Sequence, residues 1–161
     1  MLEVAPAILG KTIVRDFGGD NIKFYTITEV EAYRGEDDLA CHASKGRTAR
    51  TEVMYAQGGY VYVYLIYGMH WMLNFVTGDE DNPQAILIRG IQGFDGPGRV
   101  SKELEINKSF YGEALGKSSR IWVAESNLKV KIATSTRIGV DYAGERWASK
   151  PWRFYIADGN K

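Results

Sequence analysis

Cysteine is nearly missing from this chain: Cys41 stands alone among 161 residues. A lone thiol has no partner for an internal disulfide, which fits a reducing compartment. Histidine is as scarce, with only His42 and His70, so a Cys/His zinc site is not expected and no metal or other cofactor is implied. No run of about 18 apolar residues occurs, so nothing reads as a membrane-spanning helix. The N-terminal MLEVAPAILGK lacks a basic start followed by a long apolar stretch, and a secretory leader is not expected. An excess of charge is missing too, since 20 Lys and Arg balance 20 Asp and Glu. Nucleic-acid binders are usually basic, because neutralising phosphates supplies most of their non-specific affinity; composition therefore argues mildly against such a partner. The basic residues do cluster, at Lys45, Arg47 and Arg50, at Arg99, Lys102 and Lys108, and at Arg146, Lys150 and Arg153. Repeats and low-complexity tracts are lacking as well, and residues 1–161 read as a single domain.

What is present is an ordinary globular composition, 45% hydrophobic and 25% charged. Residues 3–9 read as a short helix ending at Gly10. KTIVRDF and KFYTITEVEAY flank the turn GGDN as a hairpin. GEDDLACHASKGRTART is polar and punctuated, a long loop with room for a helical turn. A tyrosine-rich strand follows Gly58 and Gly59, then WMLNFVT and AILIRGI as two more strands around the acidic turn GDEDNP. GPGRVSKELEI predicts a helix with Pro97 near its start, stopping around Asn107. RIWVAE, KIATSTRIGV and WRFYIA complete a strand-rich second half. The order predicts an α+β fold, a single domain with a mostly antiparallel curved β-sheet and short flanking helices.

Several polar positions stand out against this frame. Alternation in KFYTITEVEAY places Tyr25, Ile27, Glu29, Glu31 and Tyr33 on one strand face. Glu31 beside Tyr33 is either solvated or a carboxylate entering an aromatic pocket, where it could act as a general base. His42 in its polar loop is a surface residue or a pocket residue. Asn74 on an apolar strand needs partners, and Arg89 on another apolar strand needs an anion. Tyr60, Tyr62 and Tyr64 recur at every second position, and three phenols on one face suit a partly open groove that stacks planar ligands. Tyr67, out of phase beside Gly68, projects from the rim.

EVEAYRGEDDLACHASKGRT, followed by GGYVYVYLIYGMHWMLN and AILIRG, closely resembles the alkyladenine DNA glycosylase family, the monofunctional 3-methyladenine type with a single glutamate. The likeness includes ILGKTIVR upstream, and GPGRVSKELEINKSF and RIGVDYAGERWASKPWRFYI downstream, so it covers nearly the whole chain. Members of that family usually continue a little beyond the point where this chain ends, at ADGNK. The resemblance implies that Glu31 is the general base, with Arg89 and the backbone carbonyl near Ile138 helping to hold the attacking water and the adjacent phosphate. Tyr33 and His42 would cover one side of an extruded base and Tyr64 the other, with Asn74 at the pocket floor. Tyr67 would fill the gap left in the duplex, and Met69 and His70 would touch the minor groove. The implied partner is damaged double-stranded DNA, bound by a monomer without cofactor or membrane. The implied compartment is the cytoplasm with its bacterial nucleoid, or a eukaryotic nucleus. The alternatives are a protein that binds lesions without cutting and an aromatic-groove module for single-stranded RNA.

Overall fold

The computed structural model describes residues 1–157; the chain end at 158–161, where the comparison of lengths with relatives falls, lies outside the described residues. In chain order the elements are α1 (Val4–Ile8), β1 (Thr12–Asp16), β2 (Ile22–Arg34), 3-10 turns at His42–Lys45 and Glu52–Tyr55, β3 (Val61–Ile66), β4 (His70–Val76) and β5 (Gln84–Ile91). They continue with β6 (Phe94–Asp95), α2 (Pro97–Glu103), a 3-10 turn at Lys108–Phe110, β7 (Ile121–Ala124), β8 (Ile132–Ser135), a 3-10 turn at Asp141–Ala143, α3 (Glu145–Ala148) and β9 (Arg153–Ile156). The strands form one curled antiparallel sheet along the path β3-β4-β5-β2-β1-β7, with β6 added at β5, β9 beside β2 and β8 outside β9. Short helices flank it, as the α+β expectation has it. Among the described residues no helix is long and apolar enough to cross a membrane.

The 13-residue β2, rich in Thr, Ile, Val and Tyr, is the spine of the sheet. Its pairing with β5 shifts register around Thr28 and Glu29, opposite Gly90. That bulge corrects the expected single face from Tyr25 to Tyr33. Tyr25 and Ile27 enter the hydrophobic core before it, and Val30 and Ala32 enter the same core after it. One extra residue moves every later side chain to the other face, so Glu29, Glu31 and Tyr33 are turned away from Tyr25 and Ile27. Gly90 permits the close approach: a Cβ there would meet Thr28 Oγ1 at 2.8 Å and Glu29 Cβ at 3.0 Å.

Alternation then sorts the central strands. Val61 and Val63, Leu73 and Phe75, Ile86 and Ile88, and Val30 and Ala32 form the main core with Val100 and Leu104 from the α2 region and the indoles of Trp147 and Trp152. The opposite face of the same four strands carries Tyr62, Asn74, Leu87 and Glu31, which are cross-strand neighbours in a single rung.

Other expectations need adjustment. The helix after Gly96 stops at Glu103 rather than near Asn107, because Glu105 adopts a left-handed φ of 50°. Asn107 instead caps the next turn, its side chain accepting from the amide of Ser109 at 2.9 Å. KIATSTRIGV is a strand only over Ile132–Ser135. The reason lies at Arg137, whose guanidinium turns inward to a fully buried pairing with Asp38, at 2.6 and 2.9 Å. The same guanidinium donates to the carbonyls of Ala32 at 3.1 Å and Trp147 at 3.2 Å. Asp38 in turn accepts from the amides of Arg34 and Ala40. One ion pair thus pins the loop that leads to His42 and the loop that contains Ile138 onto β2. Breaking a buried pair from one side leaves an uncompensated charge, so Asp38→Ala should cost about 3–5 kcal/mol; chemical denaturation of the variant checks this.

Candidate active site

The pocket face of the sheet opens into a cleft of about 860 Å³. Glu31, Tyr33, His42, Tyr64, Asn74 and Arg89 all line it, as do Tyr67, His70 and Ile138 nearer its mouth. Every site residue implied by the family resemblance is therefore in one place except Met69, which sits exposed on the adjoining turn.

Glu31 lies in the cleft wall with 0% exposure to solvent. Its Oε2 accepts from the hydroxyl of Tyr33 and its Oε1 from the amide of Ile138, each at 2.8 Å. The contact at Ile138 is thus its N–H, whereas the sequence expectation concerned the backbone carbonyl nearby. Arg89 brings Nη1 to 3.6 Å from Oε1. Burial raises the pKa of Glu31 above the usual carboxylate value, opposed in order by Arg89, the Ile138 amide and Tyr33, and reinforced by Glu29. The result is a carboxylate with enhanced affinity for a proton and two fixed donors that orient it. Burial also raises the phenols of Tyr33 and Tyr64, so both are neutral hydroxyls across the physiological range.

Tyr62 is not in an open groove. It is 2% exposed, and its hydroxyl meets Nδ1 of His42 at 2.8 Å, which supplies the partner a buried phenol needs. Tyr60 lies outside the strand, in an isolated bridge to Ala114. The ring of His42 meets Tyr64 edge-on, centroids 4.4 Å apart at 74°. The two rings form a corner, in contrast to the opposite walls expected from sequence, because Tyr62 holds the imidazole from behind.

Asn74 is buried, with Nδ2 donating to the carbonyls of Tyr62 and Met72, both at 3.2 Å. Its amide is fixed at the cleft floor. Tyr67 occupies the β3–β4 turn, where the Met69 amide donates to the Ile66 carbonyl at 3.2 Å. Tyr67 and Gly68 have φ of 51° and 68°, the paired positive values of a tight hairpin turn. A bulky residue rarely adopts such a φ. The ring is 83% exposed, so nothing in the fold rewards the strain.

The whole chain matches a known family. The model of the methylpurine-DNA glycosylase family matches residues 1–95 and 92–160. This chain belongs to that family. Relatives named "Putative 3-methyladenine DNA glycosylase" agree: one from Methanocella arvoryzae is 43% identical, covering 96% of this chain and 86% of its own. One from Borrelia garinii subsp. bavariensis is 42% identical over 96% and 90%, and one from Psychrobacter cryohalolentis 38% over 92% and 82%. The family makes the chain a DNA glycosylase of DNA-damage repair, with DNA as its substrate.

Sequence reading missed the supports of this glycosylase site. Asp38 and Arg137 were not singled out, and Tyr142, Arg99 and Lys102 line the cleft without having been expected there. Only the basic cluster around Arg99 gave a usable signal.

The site makes one prediction about protonation. Burial, then the nearby charges of Arg50 and Lys45, lower the pKa of His42 to about 4. Between the ordinary value near 6.5 and about 4, the unfolded chain takes up a proton that the folded imidazole refuses. His42 therefore contributes stability above that window and loses it as pH falls through it. NMR titration of the His42 ring should show a midpoint near 4, with a neutral ring at pH 7.

Proposed function

We propose that this glycosylase rotates alkylated or deaminated purines out of duplex DNA and hydrolyses their N-glycosidic bond, as a monomer and without cutting the strand. The observation that carries this is Glu31: a solvent-shielded carboxylate, oriented by two donors, in the wall of a cleft lined by neutral aromatic rings. The substrate class is that of 3-methyladenine, 7-methylguanine, hypoxanthine and ethenoadenine, the first of these supported by the relatives' names.

A glycosidic bond in stacked DNA is out of reach of any side chain, so the nucleotide must leave the helix at a cost of roughly a few kcal/mol. Tyr67, presented on its strained turn, fills the vacated space and offsets part of the lost stacking; Met69 and His70 flank it against the minor groove. The base stacks on Tyr64, with Tyr33 across from it and the edge of His42 closing the corner. Purines alkylated on a ring nitrogen carry positive charge, and electron-rich rings attract them by about 0.5–2 kcal/mol relative to normal purines. A protonated imidazole would cancel part of that gain, so the neutrality of His42 matters. Asn74, immobile at the floor, disfavours the 2-amino group of normal guanine. As the base departs with its bonding electrons, the sugar gains oxocarbenium character. Glu31 stabilises that charge and removes a proton from the attacking water, while Arg89 helps hold the water and the neighbouring phosphate. Cationic bases leave without help; hypoxanthine and ethenoadenine need protonation and should be released more slowly.

Glu31→Gln is the direct test. Base release from duplexes carrying each of the four lesions should fall at least about 100-fold, the low end for loss of a general base, while lesion binding persists. Release at the wild-type rate would sink the assignment. The raised pKa of Glu31 means that folding becomes less favourable as pH rises past 4.5, since the unfolded carboxyl ionises first. Glu31→Gln should therefore melt at a higher temperature than the wild type at pH 7. Lys102 also lines the cleft, from α2; borohydride treatment during turnover should trap no covalent DNA adduct, in keeping with hydrolysis by water.

A further inference from the structure

Glu29 does not line the cleft, yet its Oε1 accepts from two guanidinium groups, Arg89 Nε at 3.0 Å and Arg153 Nη1 at 2.9 Å. Both arginines lead to the same oxygen of Glu31. Arg89 holds Nη1 at 3.6 Å from Glu31 Oε1, beyond ordinary hydrogen-bond distance. Arg153 donates Nε to the carbonyl of Thr136 at 3.1 Å, two residues before the Ile138 amide that donates to Glu31 Oε1 at 2.8 Å. The backbone is arranged around this hub. Glu29 sits at the β2 bulge opposite Gly90, where a Cβ would press on it, and Arg153 is the cross-strand neighbour of Glu31 on β9.

We propose that Glu29 is a positioning residue for glycosidic hydrolysis: it holds Arg89 by Nε, keeping that guanidinium beside Glu31 without closing onto it, and through Arg153 it fixes the 136–138 loop whose amide orients the same carboxylate. This rests on Glu31 acting as the base. A guanidinium released from Glu29 is free to fork onto Glu31 in a bidentate pair, which would stabilise the carboxylate and weaken it as a base. The negative charge of Glu29 acts in the same direction, raising the proton affinity of Glu31.

The groups facing Glu31 make the pH dependence readable. Tyr33 on β2, Tyr64 on β3 and Tyr142 in the turn after Ile138 are phenols whose pKa burial raises, so they stay neutral. Arg89 on β5 and Arg153 on β9 complete the surroundings. His42 titrates at about 4, a feature common to all variants. An acid limb above it belongs to Glu31.

The test is single-turnover release of 3-methyladenine from methylated duplex DNA as a function of pH. In Glu29→Gln the acid limb should move down by about one pH unit and the plateau fall about tenfold, with lesion binding unchanged within about twofold. Adding Glu29→Gln to Glu31→Gln should slow release no further, because residues that act through one another are non-additive. A lower plateau with an unmoved limb, or additive losses, would overturn the proposal and leave Glu29 a merely structural residue. Wild-type release by Glu31→Gln alone would instead remove the base on which the proposal rests. If Glu29→Gln fails to fold, Arg153→Lys serves. It keeps the charge but cannot span both Thr136 and Glu29, and should slow the plateau and move the limb up, because the Ile138 amide holds the pKa of Glu31 down; a wild-type plateau with an unmoved limb would overturn the role of the loop.

Discussion

Removing a carboxylate from water costs several kcal/mol, and the architecture around Glu31 offsets that cost without abolishing its basicity. Full neutralisation by a bidentate arginine would be the simplest solution and would make a poor base. The fold supplies a phenol and a backbone amide at 2.8 Å, and an arginine held just out of hydrogen-bond reach. These arrive from three separate elements, which the sheet and the Asp38–Arg137 pair keep in register. The buried ion pair is therefore the remote support of the carboxylate: it fixes the loop that carries the Ile138 amide and the loop that carries His42.

The rest of the cleft follows the same electrostatic logic. Tyr33 and Tyr64 are kept protonated by burial, and His42 is kept neutral by burial and by two basic neighbours. The stacking surfaces thus offer π density without formal charge. In the proposed reaction a positively charged purine is attracted to those surfaces while its sugar lies toward the carboxylate. The overall charge of zero is no obstacle to local selection of this kind, because cation–π and short-range ionic terms depend on placement within a few ångströms rather than on net charge.

Much of this was legible in the sequence, and the reasons for the remainder are physical. Period-2 alternation found β2 to β5, and Asn74 and Arg89 stood out because a polar side chain on an otherwise apolar strand needs a partner. It failed at Thr28 and Glu29, since a bulge requires only that a partner strand lack a side chain, and Gly90 lies far along the chain on β5. The helix after Gly96 was drawn too long because Glu105 is an ordinary helix former; its left-handed φ is imposed by the chain turning toward Asn107. Asp38 and Arg137 stayed hidden because a buried ion pair distant in sequence looks like two solvated charges. Tyr62 was legible as one phenol of an alternating row but not as the residue that holds the ring of His42, which depends on a loop 20 residues earlier.

The β3–β4 hairpin joins the two ends of the proposed reaction. Tyr64 is a stacking wall and Tyr67 is at the tip, three residues on, so at a strand rise of about 3.3 Å per residue they stand roughly 10 Å apart. That separation is set by backbone geometry alone, and it defines how far an extruded base travels when the tip occupies its former place. The minor groove is only about 6 Å wide, which favours a narrow tip, and Gly68 beside Tyr67 adds no side chain to it. Placing a phenol at a positive φ costs stability, of order 1–3 kcal/mol for a strained residue. A glycine or asparagine at position 67 would relieve the strain. Neither could fill the volume of a missing nucleobase as the proposed reaction requires, and on that proposal the difference accounts for a tyrosine at a turn where local propensity disfavours one.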